Sequence, residues 1–429
     1  PRVEQEWDAE REVEERMKAT LLEIVWHAQE PVFSADFHAS GRVATCGADN
    51  TVKIWRLETS PEGVVQAKFL SSLNFHQKHV NCVRFSPDGS MLASASDDGF
   101  VFLWQLSTTG AEQPSFGMQD DEVPNVEHWV RVKAVNAHKQ DIYDLAWAGD
   151  SDHIATGASD NQVAVRKLSA NKVVQQMHEH TNFVQGIAWD PLGEYLATQS
   201  SDRTVRVYRN KRKSPGLSSS LSPSVSVRSP HFAWKHTVKH RHVVPLEWWG
   251  TAEEAAAHEP LSSRHALFHP AHLYTFVRRL AWSPEGEVLL VPAAIYQAAH
   301  DSPPLNATYA FYRGCLDKPG LQLPCGDSAS VAVRFSPVKY SLREEYSTPW
   351  PSPWLNAGHR WVFAVATETE VILYDTQTPH AIGRVAGMHL ASVTDLAWAK
   401  DGSALFVTSL DGYCSVVTFE KGELGASLP

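Results

Sequence analysis

Two sets of residues in this chain have the types and spacing to do chemistry. The first is His236 and His240, four residues apart, with His242 just beyond. On a helix that spacing puts two imidazoles on one face, where they would hold a divalent metal such as zinc. The surrounding residues do not read as helix, and no acid or cysteine at ligand spacing completes a site. The stretch reads instead as an irregular insertion, with Trp248-Trp249 packing it against the body of the protein. The second set is Asp49, Asp98, Asp160 and Asp202, each six residues before Trp55, Trp104, Arg166 and Tyr208. Carboxylates repeated at one spacing before strand ends have a structural job. The chain carries no P-loop, no Gly-x-Ser-x-Gly elbow and no His-Glu-x-x-His. No catalytic residue, cofactor or metal is expected.

The elements that would position these residues repeat. Residues 76–104, HQKHVNCVRFSPDGSMLASASDDGFVFLW, alternate apolar and polar over 80–85 and again over 91–96. Pro87-Asp88-Gly89 and Asp97-Asp98-Gly99 turn the chain, and residues 100–104 close the set. Period-2 alternation cut by such turns is an antiparallel meander. One meander cannot bury both its faces, so it needs copies stacked beside it. Copies lie at 32–55, 138–166 and 180–208, and diverged ones at 276–290, 331–375 and 393–419. Seven blades result. A His opening (His76, His138, His180), a Ser/Asp-Pro-x-Gly turn and a closing Trp resemble the WD40 repeat. In that family the His, a middle-strand Ser, the turn Asp and the Trp form a hydrogen-bonded chain. His76, Ser94 or Ser96, Asp98 and Trp104 match it fully, whereas blades 3 and 4 lose the Trp. The expected fold is all-β, a seven-bladed WD40 β-propeller closed by an N-terminal strand. Residues 18–26, KATLLEIVW, would be that strand, completing the blade at 393–419 and removing the free edge.

Bulk properties narrow the partners. Thirty-eight basic against 49 acidic side chains leave a net charge of −11 in 429 residues, which disfavours sequence-independent DNA binding and suits a basic protein partner. The five cysteines (Cys46, Cys82, Cys315, Cys325, Cys414) are scattered without a Cys-x-x-Cys pair, as in a reducing compartment. No apolar run approaches the ~18 residues of a membrane span, and no signal peptide opens the chain. A soluble intracellular protein is expected. Residues 1–16 form an acidic extension, residues 17–425 the propeller, and residues 210–264 a Ser/Pro- and His-rich insertion between blades 4 and 5. Lys211-Arg212-Lys213 reads as a charged loop tip, and Asp120-Asp121-Glu122 as an acidic loop able to meet a basic ligand.

The diverged regions carry a second resemblance. Residues 411–425 (DGYCSVVTFEKGELG), 276–280 with the Ser283-Pro284-Glu285-Gly286 turn, 306–311 (NATYAF), Leu323-Pro324-Cys325, 331–342 and Trp189-Asp190-Pro191-Leu192-Gly193 are similar to the WD40-repeat middle subunit of chromatin assembly factor 1. So is the start at Met17 with Trp26-His27. The resemblance implies a non-catalytic nuclear scaffold. It would bind the large subunit of its complex and help deposit histones H3–H4 on newly replicated DNA, without contacting membranes or specific DNA sequences. A propeller of a replication-independent histone chaperone and a ubiquitin-ligase WD40 adaptor are the alternatives. The family continues beyond the point matching Pro429 into a tail that contacts a second histone chaperone, so that function is not expected of this stretch. Val277-Arg278-Arg279-Leu280 looks like a short docking motif for that chaperone, but alternation puts Leu280 and Trp282 on one strand face and makes it blade 5 structure. Expected partner-binding residues sit just before each first strand, at the channel mouth: His79, Asp141, Phe183, Ser330 and Ser392. Residues 1–16 set Trp7 among acids. They read as non-native to the propeller or as a partner-type segment whose Trp7 would fill a groove.

Overall fold

The alternation of residues 80–85 becomes the innermost strand of a four-stranded antiparallel sheet, Val80–Phe85, followed outward by Leu92–Ser96, Phe100–Leu106 and Trp129–Asn136. Both turns follow from local chemistry. Gly89 adopts φ +71° and its N–H bonds the Ser86 carbonyl at 2.8 Å, while the Asp88 carboxylate accepts from the Ser86 and Ser90 hydroxyls. In the second turn, the residue after each repeated aspartate is left-handed: Asn50, Gly99, Asn161, Arg203 and Gly412 all have φ between 65° and 82°. Glycine and asparagine tolerate that region; Arg203 is held there as its guanidinium donates to the Phe268 carbonyl.

A computed structural model describes residues 17–22, 26–60, 65–108, 124–211, 229–241, 265–271, 273, 275–297, 303–343 and 358–429. All regular structure among them is strand. Seven sheets stand around one axis, their innermost strands being Val32–Phe37, Val80–Phe85, Ile142–Trp147, Val184–Trp189, Ala281–Trp282, Ser330–Tyr340 and Val393–Trp398. Each packs on the next, and the last packs on the first. The core is accordingly divided into seven apolar wedges, one per blade interface. Trp104 lies in the wedge between blades 1 and 2, and Trp26, Trp55 and Phe406 in that between blades 7 and 1. The ring closes as expected: Met17–Leu22 pairs antiparallel with Cys414–Phe419, from Met17 opposite Phe419 to Leu22 opposite Cys414. Among the described residues the pairing runs to Leu22, and Trp26 lies with its ring 4.5 Å from Trp55 and 5.4 Å from Phe406.

Three regions differ from the expected layout. The stretch expected to be an insertion contains the outermost strand of blade 4, Phe232–Val238, paired with Thr204–Asn210. Phe232 and Val238 are buried, which is what anchors a strand inside polar sequence. His236 is therefore on a strand, where i,i+4 spacing does not bring two rings together; His242, Trp248 and Trp249 lie outside the described residues. The innermost strand of blade 5 is only Ala281–Trp282. The segment before it bonds sideways, Arg278 N–H to the Gln185 carbonyl of blade 4 and Arg279 N–H to the Val331 carbonyl of blade 6. Beyond residue 425, Ser427–Leu428 adds to the Lys339–Tyr340 end of blade 6.

Candidate functional site

The repeated aspartates each accept a hydrogen bond from a histidine 22 residues earlier. The pairs are His27–Asp49 at 2.8 Å, His76–Asp98 at 2.8 Å, His138–Asp160 at 3.0 Å, His180–Asp202 at 2.9 Å and His389–Asp411 at 3.1 Å. The carboxylate can only accept, so Nδ1 carries the proton and Nε2 faces a hydroxyl. That hydroxyl is Thr45, Ser94, Thr156 or Thr198, at 2.8–2.9 Å. The Trp55 and Trp104 indoles donate to Thr45 and Ser94, both at 2.9 Å. The relay of blade 2 thus runs through Ser94, not Ser96, and blade 1 has an equally complete one through His27. Blades 3 and 4 lose only the Trp leg; their His–Asp–Thr cores are intact. Blade 7 takes its hydroxyl from Ser415 instead.

Burial pushes the His27 and His180 imidazoles below their ordinary range, outweighing the aspartates that would raise them. Burial would raise Asp49 and Asp202 in turn, but the hydrogen bonds from those imidazoles and from Thr51 and Thr204 hold both carboxyls below normal. A Ser–His–Asp sequence of bonds is also the geometry of a hydrolase triad. Here Ser94 and its counterparts are fully buried, and the Ser94 oxygen is occupied by the Trp104 indole. These relays fix the aspartate turn in the five blades that carry one, with each hydroxyl buried.

The axis is closed by charge. Arg279, with no exposed surface, donates to the carbonyls of Phe33 (2.9 Å), Thr394 (3.0 Å) and Asn81 (2.6 Å), in blades 1, 7 and 2. Its guanidinium lies 3.1 Å from Asp395 and 3.6 Å from Asp144. Asp395 also meets Arg84 at 2.9 Å and Arg334 at 3.0 Å. Burial lowers the Arg84 cation's stability, yet Asp395 and its neighbours more than offset this and hold its pKa well above the usual value. Burial raises the Asp36 and Asp144 carboxyls; Lys400 and Arg84 oppose it at Asp36, and Arg279 and Arg84 at Asp144. All of residues 277–280 are buried, as expected of blade 5 structure; Leu280 and Trp282 share one wedge.

Above this stopper lies the mouth. His79, Asp141 and Phe183 gather there around three rings that repeat position did not single out: Phe33, Tyr143 and Phe276. Phe33 and Phe276 touch edge to face at 4.9 Å; His79 lies 6.0 Å from Phe33, and Tyr143 lies 5.9 Å from both Phe183 and Phe276. Phe33 and Tyr143 are the second residues of their innermost strands, a register position that alternation alone could have singled out. Asp97, in the blade 2 turn, stands 3.8 Å from His79. Ser392 is half-buried, its carbonyl accepting from Leu410 N–H. Ser330 is a correction: it has no exposed surface, because its hydroxyl donates to the Ala307 carbonyl and accepts from Thr308, so it presents nothing to a partner. Trp7, Asp120, Asp121 and Glu122 lie outside the described residues. Among the described residues no group of three or more His, Cys, Asp or Glu could hold a metal ion.

Seven blades, buried His–hydroxyl–Asp relays and a stoppered axis define a WD40-type β-propeller, a class that presents rigid loops to other proteins. The chain belongs to the CAF1B/HIR1 beta-propeller family, whose domain matches residues 17–242 and 219–424. It is 37% identical to the B-subunit of chromatin assembly factor 1 of Mus musculus, over 96% of this chain and 68% of the relative. The corresponding protein of Saccharomyces cerevisiae is 31% identical over 94% of this chain and 86% of its own length. Protein HIR1 of Yarrowia lipolytica is 29% identical, over 90% of this chain but 35% of that protein.

Proposed function

We propose that this chain is the propeller subunit of a chromatin-assembly complex, a non-catalytic nuclear scaffold that binds a large subunit and helps deposit histones H3–H4 during replication. One observation carries the reading: the chromatin assembly factor 1 relatives of mouse and yeast match this chain over 94–96% of its length, so the whole ring is shared and not one repeat type. The mouth around His79, Asp141 and Phe183 supports it physically, since rigid strands hold exposed loop side chains in fixed positions for docking. The test is capture by recombinant chain, separately, of the large subunit of such a complex and of H3–H4. Retention of the large subunit, with H3–H4 joining through it, is expected. Failure to retain either protein overturns the reading. Capture of H3–H4 alone moves the chain to the replication-independent chaperone branch.

A further inference from the structure

We propose that the channel mouth binds one basic side chain, an arginine or lysine, of an extended partner polypeptide, seated on an aromatic floor between the Asp97 and Asp141 carboxylates. The inference rests on the scaffold reading only for which polypeptide supplies the cation. The recognition chemistry belongs to the mouth.

The floor is built from five blades in turn. Phe33, His79, Tyr143, Phe183 and Phe276 form a continuous chain of ring contacts at 4.9–6.0 Å. Phe183 is 42% exposed and His79 is exposed at the surface, while Tyr143 and Phe276 are half-buried, so ring surface stays open to solvent. Exposed aromatic surface in one patch attracts a cation through its ring quadrupoles.

The carboxylates make the same demand independently. Asp97 accepts from the Asn81 amide at 2.5 Å and has His79 at 3.8 Å, but no described Lys or Arg lies within ion-pair distance of Asp97 or Asp141. Lys78, on the same loop, is exposed and out of ion-pair distance, so its charge, like that of His79, lowers the Asp97 carboxyl only from a distance. Burial raises the Asp97 carboxyl, and the charge of Asp141 raises it further. Burial, then the charges of Asp141 and Asp97, push the Tyr143 hydroxyl up to about 12, so it stays neutral beside them. Two carboxylates that repel each other beside open π faces are relieved by an arriving cation. Gln185 adds a third mark. It occupies the same second-residue register as Phe33 and Tyr143 and is 4% exposed. Its amide nitrogen donates to the Phe276 carbonyl, while its carbonyl oxygen has no donor. A buried acceptor without a donor is costly, and a guanidinium or ammonium brings donors.

Depth is limited by the stopper. Arg279 crosses the axis below the floor, so the side chain seats on the mouth and does not thread the ring. Its charge does not repel an incoming cation, because Asp144 and Asp395 lie against it.

The test uses fluorescein-labelled H3 and H4 tail peptides as probes, titrated into the full chain by anisotropy, beside peptides with every Arg and Lys replaced by Gln. The basic peptides should bind and the Gln peptides should not. Asp141→Asn should weaken binding about tenfold, the scale of a desolvated cation contact, and Asp141→Lys should abolish it. Phe183→Ala should weaken it severalfold, and Asp317→Asn, at a bend outside the mouth, should leave it unchanged. Each variant's melting temperature is checked against the wild type. Equal binding of Gln peptides, or normal binding by a folded Asp141→Lys chain, overturns the inference. A chain that captures the large subunit yet binds no basic peptide also overturns it and leaves the functional reading standing. Basic-peptide binding by a chain that captures neither the large subunit nor H3–H4 upholds the inference and overturns that reading.

Discussion

Replacing Arg279 by methionine tests whether the axial charge network holds the ring together. Methionine is close in length, so little cavity forms and the change is mainly electrostatic. The substitution takes away the guanidinium that lies 3.1 Å from Asp395 and 3.6 Å from Asp144, and leaves three carbonyls in blades 1, 2 and 7 without their donor. Breaking a buried ion pair from one side costs about 3–5 kcal/mol. Asp395 keeps Arg84 and Arg334, which holds the loss within that range; among the described residues Asp144 has no other guanidinium within ion-pair distance. At roughly 2.1 cal/mol/K of unfolding entropy per residue, a 429-residue chain should melt roughly 3–6 °C lower. Differential scanning fluorimetry and urea midpoints read this. Adding Asp144→Asn removes the carboxylate left unpaired. The double variant should therefore recover about 1 kcal/mol or more relative to the sum of the singles. Arg131→Met is the control, because Arg131 lies over Phe75 at 4.3 Å on the exposed surface. If Arg279→Met shifts the midpoint no more than Arg131→Met, the axial network is not a structural lock.

Trp104→Ala should lose about 3–5 kcal/mol, since the indole is fully buried and also bonds Ser94; an unchanged urea midpoint would contradict its place in the wedge. Gly186→Ala should fail to give soluble protein or melt far lower, because a Cβ there would sit 1.8 Å from the Arg278 carbonyl oxygen. Gly41→Ala, at φ +79° in open space, should cost only about 1–2 kcal/mol for the left-handed backbone, and similar losses at both sites would refute the close approach. The lowered imidazole pKa values of His27, His180 and His389 mean that the unfolded chain binds more protons just below pH 6.5. Their stabilising contribution is full above that pH and is lost as pH falls toward the folded values. Melting temperature should therefore drop between pH 7 and 5, and a rise over that interval would refute neutral buried imidazoles. The carboxyls held below normal, such as Asp49 and Asp98, add a further loss only under about pH 4.

Much of the fold was legible because its signals are local. Apolar alternation, the Pro/Asp/Gly turns and the aspartate six residues before a strand end repeat in the chain, and each acts over fewer than ten residues. The His-to-Asp interval of 22 was readable too, and would have revealed the blade 1 relay through His27 and the blade 7 relay through His389. Phe232–Val238 was harder. It follows Ser/Pro-rich sequence, and its apolar ends gain burial only because the edge of Thr204–Asn210 waits across a long connection. Ser330 was misplaced because repeat position alone does not say whether a hydroxyl finds partners; Ala307 and Thr308 of the neighbouring blade claim it.

By itself, then, the sequence determined the repeat, the turn chemistry, the family and the repeated aspartates of the blade relays, while the hydroxyl and the full set of histidines in those relays came from the structure. The tertiary structure decided where charge is buried and where it is left open. Arg279 looks like any strand-flanking arginine, yet its partners Phe33, Thr394 and Asn81 lie 246, 115 and 198 residues away in the chain. Asp141 and Asp97 look like ordinary turn acids, and only closure of the ring sets them beside five aromatic rings with no described Lys or Arg to pair with. An apolar side chain is stabilised by burial wherever it is placed, so its pattern can be read along the chain. A charge is stabilised only by the particular groups brought around it, and those are assembled by the ring as a whole.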